Sequence, residues 1–118
     1  EAADISSMLE VAAELNTCGG TDFYKFSVVE GQTINVTTTF SHADGDIDIK
    51  LFGPEGDSVN FASSETDNEE LKLPDPERSR IERTSTGFYV LSVSSRRLTG
   101  LPGGVFNTYR LKVELTDP

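Results

Sequence analysis

Strict alternation of apolar and polar residues, repeated in one segment after another, most constrains what this chain can fold into. Residues 23–28 and 46–52 show it most clearly, the second with Ile47, Ile49 and Leu51 on one side. Successive side chains of a β-strand point to opposite faces, so a period of two predicts half-buried strands. Residues 33–40, 88–93 and 108–115 continue the pattern. It places all three tyrosines on the inward side, and we predict that they pack in the core.

Turn signals separate these strands. The sequence Gly-Pro-Glu-Gly at residues 53–56 is typical of a tight turn, and residues 59–62 and 71–73 add two shorter strands. About seven short strands with turns between them predict an antiparallel β-sandwich or barrel. A parallel α/β sheet is not expected, because no helical pattern lies between the strands.

The N-terminal segment departs from this period. Ile5, Met8, Leu9, Ala12 and Leu15 recur at helical spacing, so the periodicity of residues 5–15 favours a short helix. An isolated helix of this length is marginal in water and has to dock on the rest of the fold. An edge strand is the alternative for this segment.

Size and charge narrow the function classes. At 118 residues one domain is expected, and the formal net charge of −10 argues against nucleic acid or an anionic membrane surface as the partner. No apolar run reaches the roughly 20 residues of a membrane-spanning helix. The chain starts at Glu1 without a signal peptide, so we expect a mature fragment or an excised domain.

The acidic residues predict at most a site for a hard cation such as calcium. One Cys and one His exclude a zinc centre built from thiolate and imidazole. On a strand, Asp46 and Asp48 share the outward face about 7 Å apart, and Asp22 and Asp4 could add oxygen ligands. An EF-hand beginning at Asp44 is rejected, because its sixth position lacks the required Gly. The simpler interpretation is a solvated face neutralised by Lys50 or by arginines of a neighbouring strand.

Nothing in the sequence predicts catalysis. His42 is the single histidine, and no nucleophile elbow or oxyanion loop accompanies it. No cation adjoins Cys18 to lower the pKa of its thiol. We therefore predict a domain that is not an enzyme.

Outward-facing aromatic residues are the remaining candidates for a binding surface. We predict that Phe52, Phe88, Leu101 and Phe106 contact a partner, the last two from the Gly-rich segment 97–106. Phe23 shares the outward side, but for Phe23 and Phe88 we expect cover by loops or by the N-terminal segment.

The ordered set of strand motifs resembles the bacterial pre-peptidase C-terminal domain. Its pieces are residues 12–15, the strand Asp-Phe-Tyr-Lys-Phe at 22–26, Gly-Gln-Thr at 31–33, Asp-Ile-Asp-Ile-Lys-Leu at 46–51, Pro-Glu-Gly at 54–56, the strand 87–93 and Tyr-Arg-Leu-Lys-Val at 109–113. The resemblance spans residues 12–115 and implies an extended N-terminal segment. It also implies one jelly-roll-like β-sandwich of about seven to eight strands, with a leader at residues 1–21 and the sandwich at residues 22–115.

The same resemblance implies a secreted, non-catalytic module linked to a peptidase or another exported protein. Related collagen-binding domains bind calcium near the N-terminal segment, and only Asp22 carries over from that site. The collagen-gripping tyrosines have no match here. We therefore expect an accessory domain that binds an insoluble extracellular polymer or protein, or assists export and folding. A calcium-stiffened adhesion module of a surface protein is the alternative, and a small hydrolase is a distant third.

Overall fold

The computed structural model describes residues 3–5, 10–16, 21–39, 46–62, 68–96 and 106–118. Within these ranges the chain forms nine β-strands and no helix, so nothing there could span a membrane as a helix. The strands are β1 (Ala3–Asp4), β2 (Glu10–Asn16), β3 (Thr21–Val28), β4 (Thr33–Thr39), β5 (Asp46–Phe52), β6 (Ser58–Ala62), β7 (Asn68–Leu73), β8 (Gly87–Arg96) and β9 (Phe106–Thr116).

The strands form two sheets with jelly-roll connectivity. One sheet has the order β1-β3-β8-β5-β6 and the other has the order β2-β9-β4-β7. Strands equally far from the β5–β6 turn pair with each other, namely β5 with β6, β4 with β7, β3 with β8 and β2 with β9. Successive pairs alternate between the sheets, as in a long hairpin rolled into a sandwich. The expected antiparallel jelly-roll-like sandwich is therefore confirmed.

The core consists of the alternate residues that the sequence pattern selected. Phe26, Val36, Leu51, Leu91 and Leu111 come from five different strands, and each is at most 1% exposed. Tyr24, Tyr89 and Tyr109 are also buried, which confirms their predicted packing role. Inward residues of both sheets meet in one apolar cluster, as expected for two packed sheets.

Residues 10–16 of the N-terminal segment are extended, so the helix favoured by its periodicity is wrong there. Residues Glu10–Asn16 form β2 and pair with β9 along their whole length, from Glu10 opposite Lys112 to Asn16 opposite Phe106. The physical reason is that β9 offers a free edge of backbone donors and acceptors, whereas a short helix gains little by itself. The extended alternative, which the family resemblance implied, is correct for residues 10–16.

The leader also contributes to the other sheet. The two-residue β1 runs parallel to β3, and the backbone N–H of Ile5 donates to the carbonyl of Lys25 over 2.8 Å. Ile5 itself is buried against the core. The described residues before position 21, namely 3–5 and 10–16, therefore contribute to both sheets of the sandwich.

Candidate functional site: an aromatic sheet face

The two outer faces of the sandwich differ in chemistry. On the four-stranded sheet, the described outward side chains are polar: Thr33, Asn35, Thr37 and Thr39 of β4, Glu70 and Lys72 of β7, and Arg110, Lys112, Glu114 and Thr116 of β9. The five-stranded sheet instead carries four outward phenylalanines, which we call the aromatic face: Phe23, Phe52, Phe61 and Phe88. An exposed apolar patch on an otherwise polar molecule is a candidate interaction surface.

Two of these phenylalanines lie at the ends of one row, by which we mean a set of residues that lie opposite one another on adjacent strands. Phe23 lies opposite Ser92, Ser92 opposite Lys50, and Lys50 opposite Phe61. Three strand spacings separate the two aromatic residues, roughly 14 Å between their backbones. Between them, Ser92 is small and buried, and the exposed Lys50 side chain extends along its strand to the ring of Phe52, so neither fills the space between Phe23 and Phe61. The result is a groove with Phe23 and Phe61 as its walls.

The groove has a volume of about 530 Å³, within the range of ligand-binding clefts. Its polar lining comes from three neighbouring strands and consists of Thr21, Asp48, Lys50, Ser92 and Ser94. Thr21, Ser94 and Asp48 form the next row across the sheet, beside the row that holds the two phenylalanines. Hydroxyl, carboxylate and ammonium groups thus line the space between two aromatic walls.

The other two phenylalanines hold a lysine over their rings. The Lys25 ammonium lies 5.3 Å from the ring centre of Phe88, and that of Lys50 lies 5.9 Å from the ring centre of Phe52. Each contact contributes about 0.5–1 kcal/mol at an exposed site. Among the described residues, neither a cation nor another ring contacts Phe23 or Phe61 in this way, and the two side chains are 45% and 54% exposed.

The predicted partner residues have different outcomes. Phe52 and Phe88 lie on the aromatic face, and their role in binding stays a prediction. Phe23 and Phe88 are 45% and 48% exposed, so the expected cover by loops or by the N-terminal segment is wrong. Leu101 lies outside the described residues. Phe106 begins β9, and its side chain also lies outside the described part.

Phe61 was missed by the sequence reasoning. Its strand buries Asn60 and Ala62 and leaves Phe61 54% exposed, so the larger apolar residue is on the outside. Hydrophobicity alone therefore assigns the faces of β6 the wrong way round. The available signal was the turn between β5 and β6, because a turn restricts the register with which its two strands pair. In the structure this register puts Phe61 opposite Lys50.

Asp22, a predicted calcium ligand, belongs to a hydrogen-bonded chain inside the sandwich. The Tyr109 hydroxyl donates to Asp22 Oδ2 over 2.7 Å and lies 2.6 Å from the hydroxyl of Tyr24. Since the Tyr109 proton is directed to Asp22, Tyr24 donates to Tyr109. Burial raises the pKa of Tyr109, and its hydrogen bonds to Asp22 and Tyr24 raise it further. Burial likewise raises the pKa of Tyr24, against a lowering by the bond to Tyr109.

The predicted calcium ligands do not share one location. Asp22 has the inward parity of Tyr24, whereas Asp48 lines the outer groove, so these two carboxylates lie on opposite faces of the sheet. Asp4 is exposed in β1, and Asp46 stands opposite Arg96 in the register. The described residues contain no group of three or more carboxylate, imidazole or thiolate side chains placed to hold a metal. They do not fit a calcium centre shared by Asp22 and Asp48.

Calcium binding itself stays a prediction from the sequence. Cys18 and His42 lie outside the described residues. Comparison of thermal unfolding in excess EDTA and in millimolar calcium tests the prediction, because a ligand that binds only the folded state raises the midpoint.

The fold and this surface define an all-β jelly-roll domain whose candidate site is a solvent-exposed sheet face. The chain belongs to the bacterial pre-peptidase C-terminal domain family, whose sequence profile matches residues 20–95. This matched region extends from the start of β3 almost to the end of β8, and it includes all four phenylalanines of the aromatic face. Family membership agrees with a non-catalytic accessory domain.

A solved structure supports the fold over almost the whole chain. The pre-peptidase C-terminal domain of collagenase from Bacillus anthracis superposes with a TM-score of 0.63, covering 97% of this chain and 95% of that domain. The two sequences are 20% identical, so the similarity shows a shared fold. No curated protein matches the chain in a sequence comparison.

Proposed function

We propose that this domain is a non-catalytic accessory module of a secreted bacterial protein, and that it attaches its parent to an extracellular polymer or protein. The observation that carries the proposal is the aromatic face. Three of its four phenylalanines keep about half of their surface exposed, while the outer face of the other sheet is polar in every described position.

Contact with a partner would remove this apolar surface from water. Full burial of a phenylalanine side chain stabilises by about 1.5–3 kcal/mol, so half-exposed rings contribute about half of that each. Phe23, Phe61 and Phe88 together can therefore support weak, reversible attachment to a repetitive surface. Secretion is part of the proposal because domains of this family occur in secreted bacterial peptidases.

A sedimentation assay with insoluble polymers tests the proposal. The folded domain is incubated with cellulose, chitin, collagen fibres and bacterial cell walls, and the bound fraction is measured. We expect retention on at least one of them, and at least a fivefold weaker retention for the double variant Phe61→Ala/Phe88→Ala. Arg110→Ala, which removes a large exposed side chain from the polar face, serves as the matched control.

Retention on none of these materials would contradict attachment as the function. Equal retention of the double variant and the wild type would show that the aromatic face is not the contact surface. Circular dichroism and the thermal midpoint of each variant establish that the fold is retained before either conclusion is drawn.

A further inference from the structure

The geometry points to a ligand class for the groove between Phe23 and Phe61: we propose that it binds a neutral polysaccharide chain. This inference rests on the proposed attachment function and specifies its partner. The groove follows the strand direction, because β3 and β6 supply its walls and β8 and β5 supply the residues between them. A linear polymer can therefore lie along it.

The walls suit the faces of sugar rings. A pyranose ring carries C–H groups on its faces, and an aromatic ring presents its negative face to such weakly positive groups. Phe23 and Phe61 are exposed and hold no lysine over their rings, unlike Phe52 and Phe88. The chain has no Trp, and Phe52 is the third phenylalanine of the lining, so phenylalanines supply the aromatic contact.

The polar lining suits the hydroxyl rim of a sugar. A sugar hydroxyl both donates and accepts hydrogen bonds, and so do the hydroxyls of Thr21, Ser92 and Ser94. Asp48 adds an acceptor and Lys50 adds a donor in the same lining. Three hydroxyls together with one pure acceptor and one pure donor can bond hydroxyls of successive sugar units of a chain in the groove.

A peptide ligand fits this groove less well. Every peptide unit brings a backbone donor and an acceptor that must find partners, and proteins usually meet this demand by adding a strand at a sheet edge. The groove lies on the face of the sheet, where the backbone groups of β8 and β5 already pair with each other. Phenylalanine walls offer no hydrogen-bond donor to the carbonyls of a peptide.

Charge selects a neutral glycan over an acidic one. Asp48 and Lys50 balance each other within the groove, and the whole chain carries a net charge of −10. An anionic polysaccharide would approach a molecule of the same sign, which lowers its encounter rate and its affinity at moderate ionic strength.

The test compares retention on cellulose and chitin, which are neutral, with retention on insoluble polygalacturonate and on collagen fibres. We expect retention on at least one neutral polysaccharide, a loss of at least tenfold for Phe23→Ala/Phe61→Ala, and a severalfold loss for Lys50→Gln. Val29→Ala removes exposed apolar surface outside the groove lining, and Lys112→Gln removes a lysine from the polar face. Both of these controls are expected to bind as the wild type does.

The outcomes separate this inference from the function on which it rests. Retention on collagen alone, lost in Phe23→Ala/Phe61→Ala, would support attachment but overturn the polysaccharide ligand. Retention on polygalacturonate alone would overturn the neutral ligand. Binding of a neutral polysaccharide that survives the double substitution would overturn the groove as its site. No retention on any of the four materials would overturn the polysaccharide ligand, and no retention on bacterial cell walls either would overturn both proposals.

Discussion

The hydroxyls of Tyr24 and Tyr109 lie 2.6 Å apart and join the two sheets through the core. Tyr24 belongs to β3 of the five-stranded sheet, and Tyr109 belongs to β9 of the four-stranded sheet. The chain of hydrogen bonds ends at the carboxylate of Asp22, which returns it to β3. Tyr109 is therefore the central member, bonded on both sides, and Tyr24 is a terminal one.

Substitution of the central tyrosine should cost more than substitution of the terminal one. Tyr109→Phe leaves both the Asp22 carboxylate and the Tyr24 hydroxyl without this partner, at a cost of about 1–3 kcal/mol. Tyr24→Phe removes one terminal donor and should cost about 0.5–1.5 kcal/mol. Urea unfolding of the two variants measures the difference. Equal costs would show that the bond to Asp22 adds nothing to stability.

Both phenols should make the fold sensitive to alkali. Their pKa values are raised above the ordinary value of about 10, so the unfolded chain releases these protons at a lower pH than the folded chain does. Their contribution to stability is therefore complete below about pH 10 and decreases as the pH rises above it, by up to about 1.4 kcal/mol per pH unit for each group.

Urea unfolding at about pH 9, 10 and 11 tests this dependence. The free energy of unfolding should fall more steeply with pH in the wild type than in the double variant Tyr24→Phe/Tyr109→Phe. Parallel slopes for the two proteins would contradict the assignment of the alkaline effect to these tyrosines.

A buried amide should hold two sheet edges together. Asn60 Nδ2 donates to the carbonyl of Lys72 over 2.7 Å, and this bond links edge strand β6 to edge strand β7 of the other sheet. Its carbonyl oxygen accepts from the backbone N–H of Phe61. Asn60→Ala should therefore destabilise by about 1–3 kcal/mol, or roughly 4–12 °C in the thermal midpoint.

Asn35→Ala is the matched control, because Asn35 is exposed on the outer face of β4. It should change stability by less than about 0.5 kcal/mol. Amide hydrogen exchange gives a second readout, in which Asn60→Ala accelerates exchange in β7 ahead of the rest of its sheet. Unchanged exchange there would show that the edges do not depend on Asn60.

Two glycines with positive φ should respond differently to alanine. A Cβ on Gly87 would lie 2.8 and 2.9 Å from ring carbons of Pro54, and its φ is +152°. Gly56 has a φ of +87°, but open space surrounds its Cβ position. We expect Gly56→Ala to cost about 1–2 kcal/mol from backbone strain alone and Gly87→Ala to cost about 2–4 kcal/mol, because overpacking adds to the strain. Thermal unfolding of both variants measures the order, and a Gly87→Ala cost no larger than that of Gly56→Ala would contradict the clash.

The strands and their buried faces could be predicted wherever the alternation was long and regular. Ile49 and Leu51 of β5 and Leu91 and Val93 of β8 are buried as expected, because a period of two leaves only one way to hide the apolar side of a strand. The pattern failed in short or mixed segments. It favoured a helix for the segment that forms β2, and it gave no warning that β6 buries Asn60 and exposes Phe61.

The candidate site was accessible to sequence reasoning only in part. The alternation identified Phe23, Phe52 and Phe88 as outward-facing residues. Whether they are exposed depends on whether other parts of the chain cover them. The groove depends on register across four strands, and residues 23, 92, 50 and 61 meet only through pairings that are distant in sequence. The carboxylates show the same limit. Asp22 and Asp48 were grouped as possible calcium ligands from the sequence, but they lie on opposite faces of the sheet.

The sequence by itself determined the all-β class, the strands with long alternation, the tyrosines of the core and the family. These properties follow from local periodicity and from the cost of leaving apolar side chains in water. Only the tertiary structure decided the conformation of residues 10–16, the partners of Asp22 and the groove between Phe23 and Phe61. Each of these depends on which strand lies beside which, and backbone pairing between distant segments is settled by the packing of the whole sandwich.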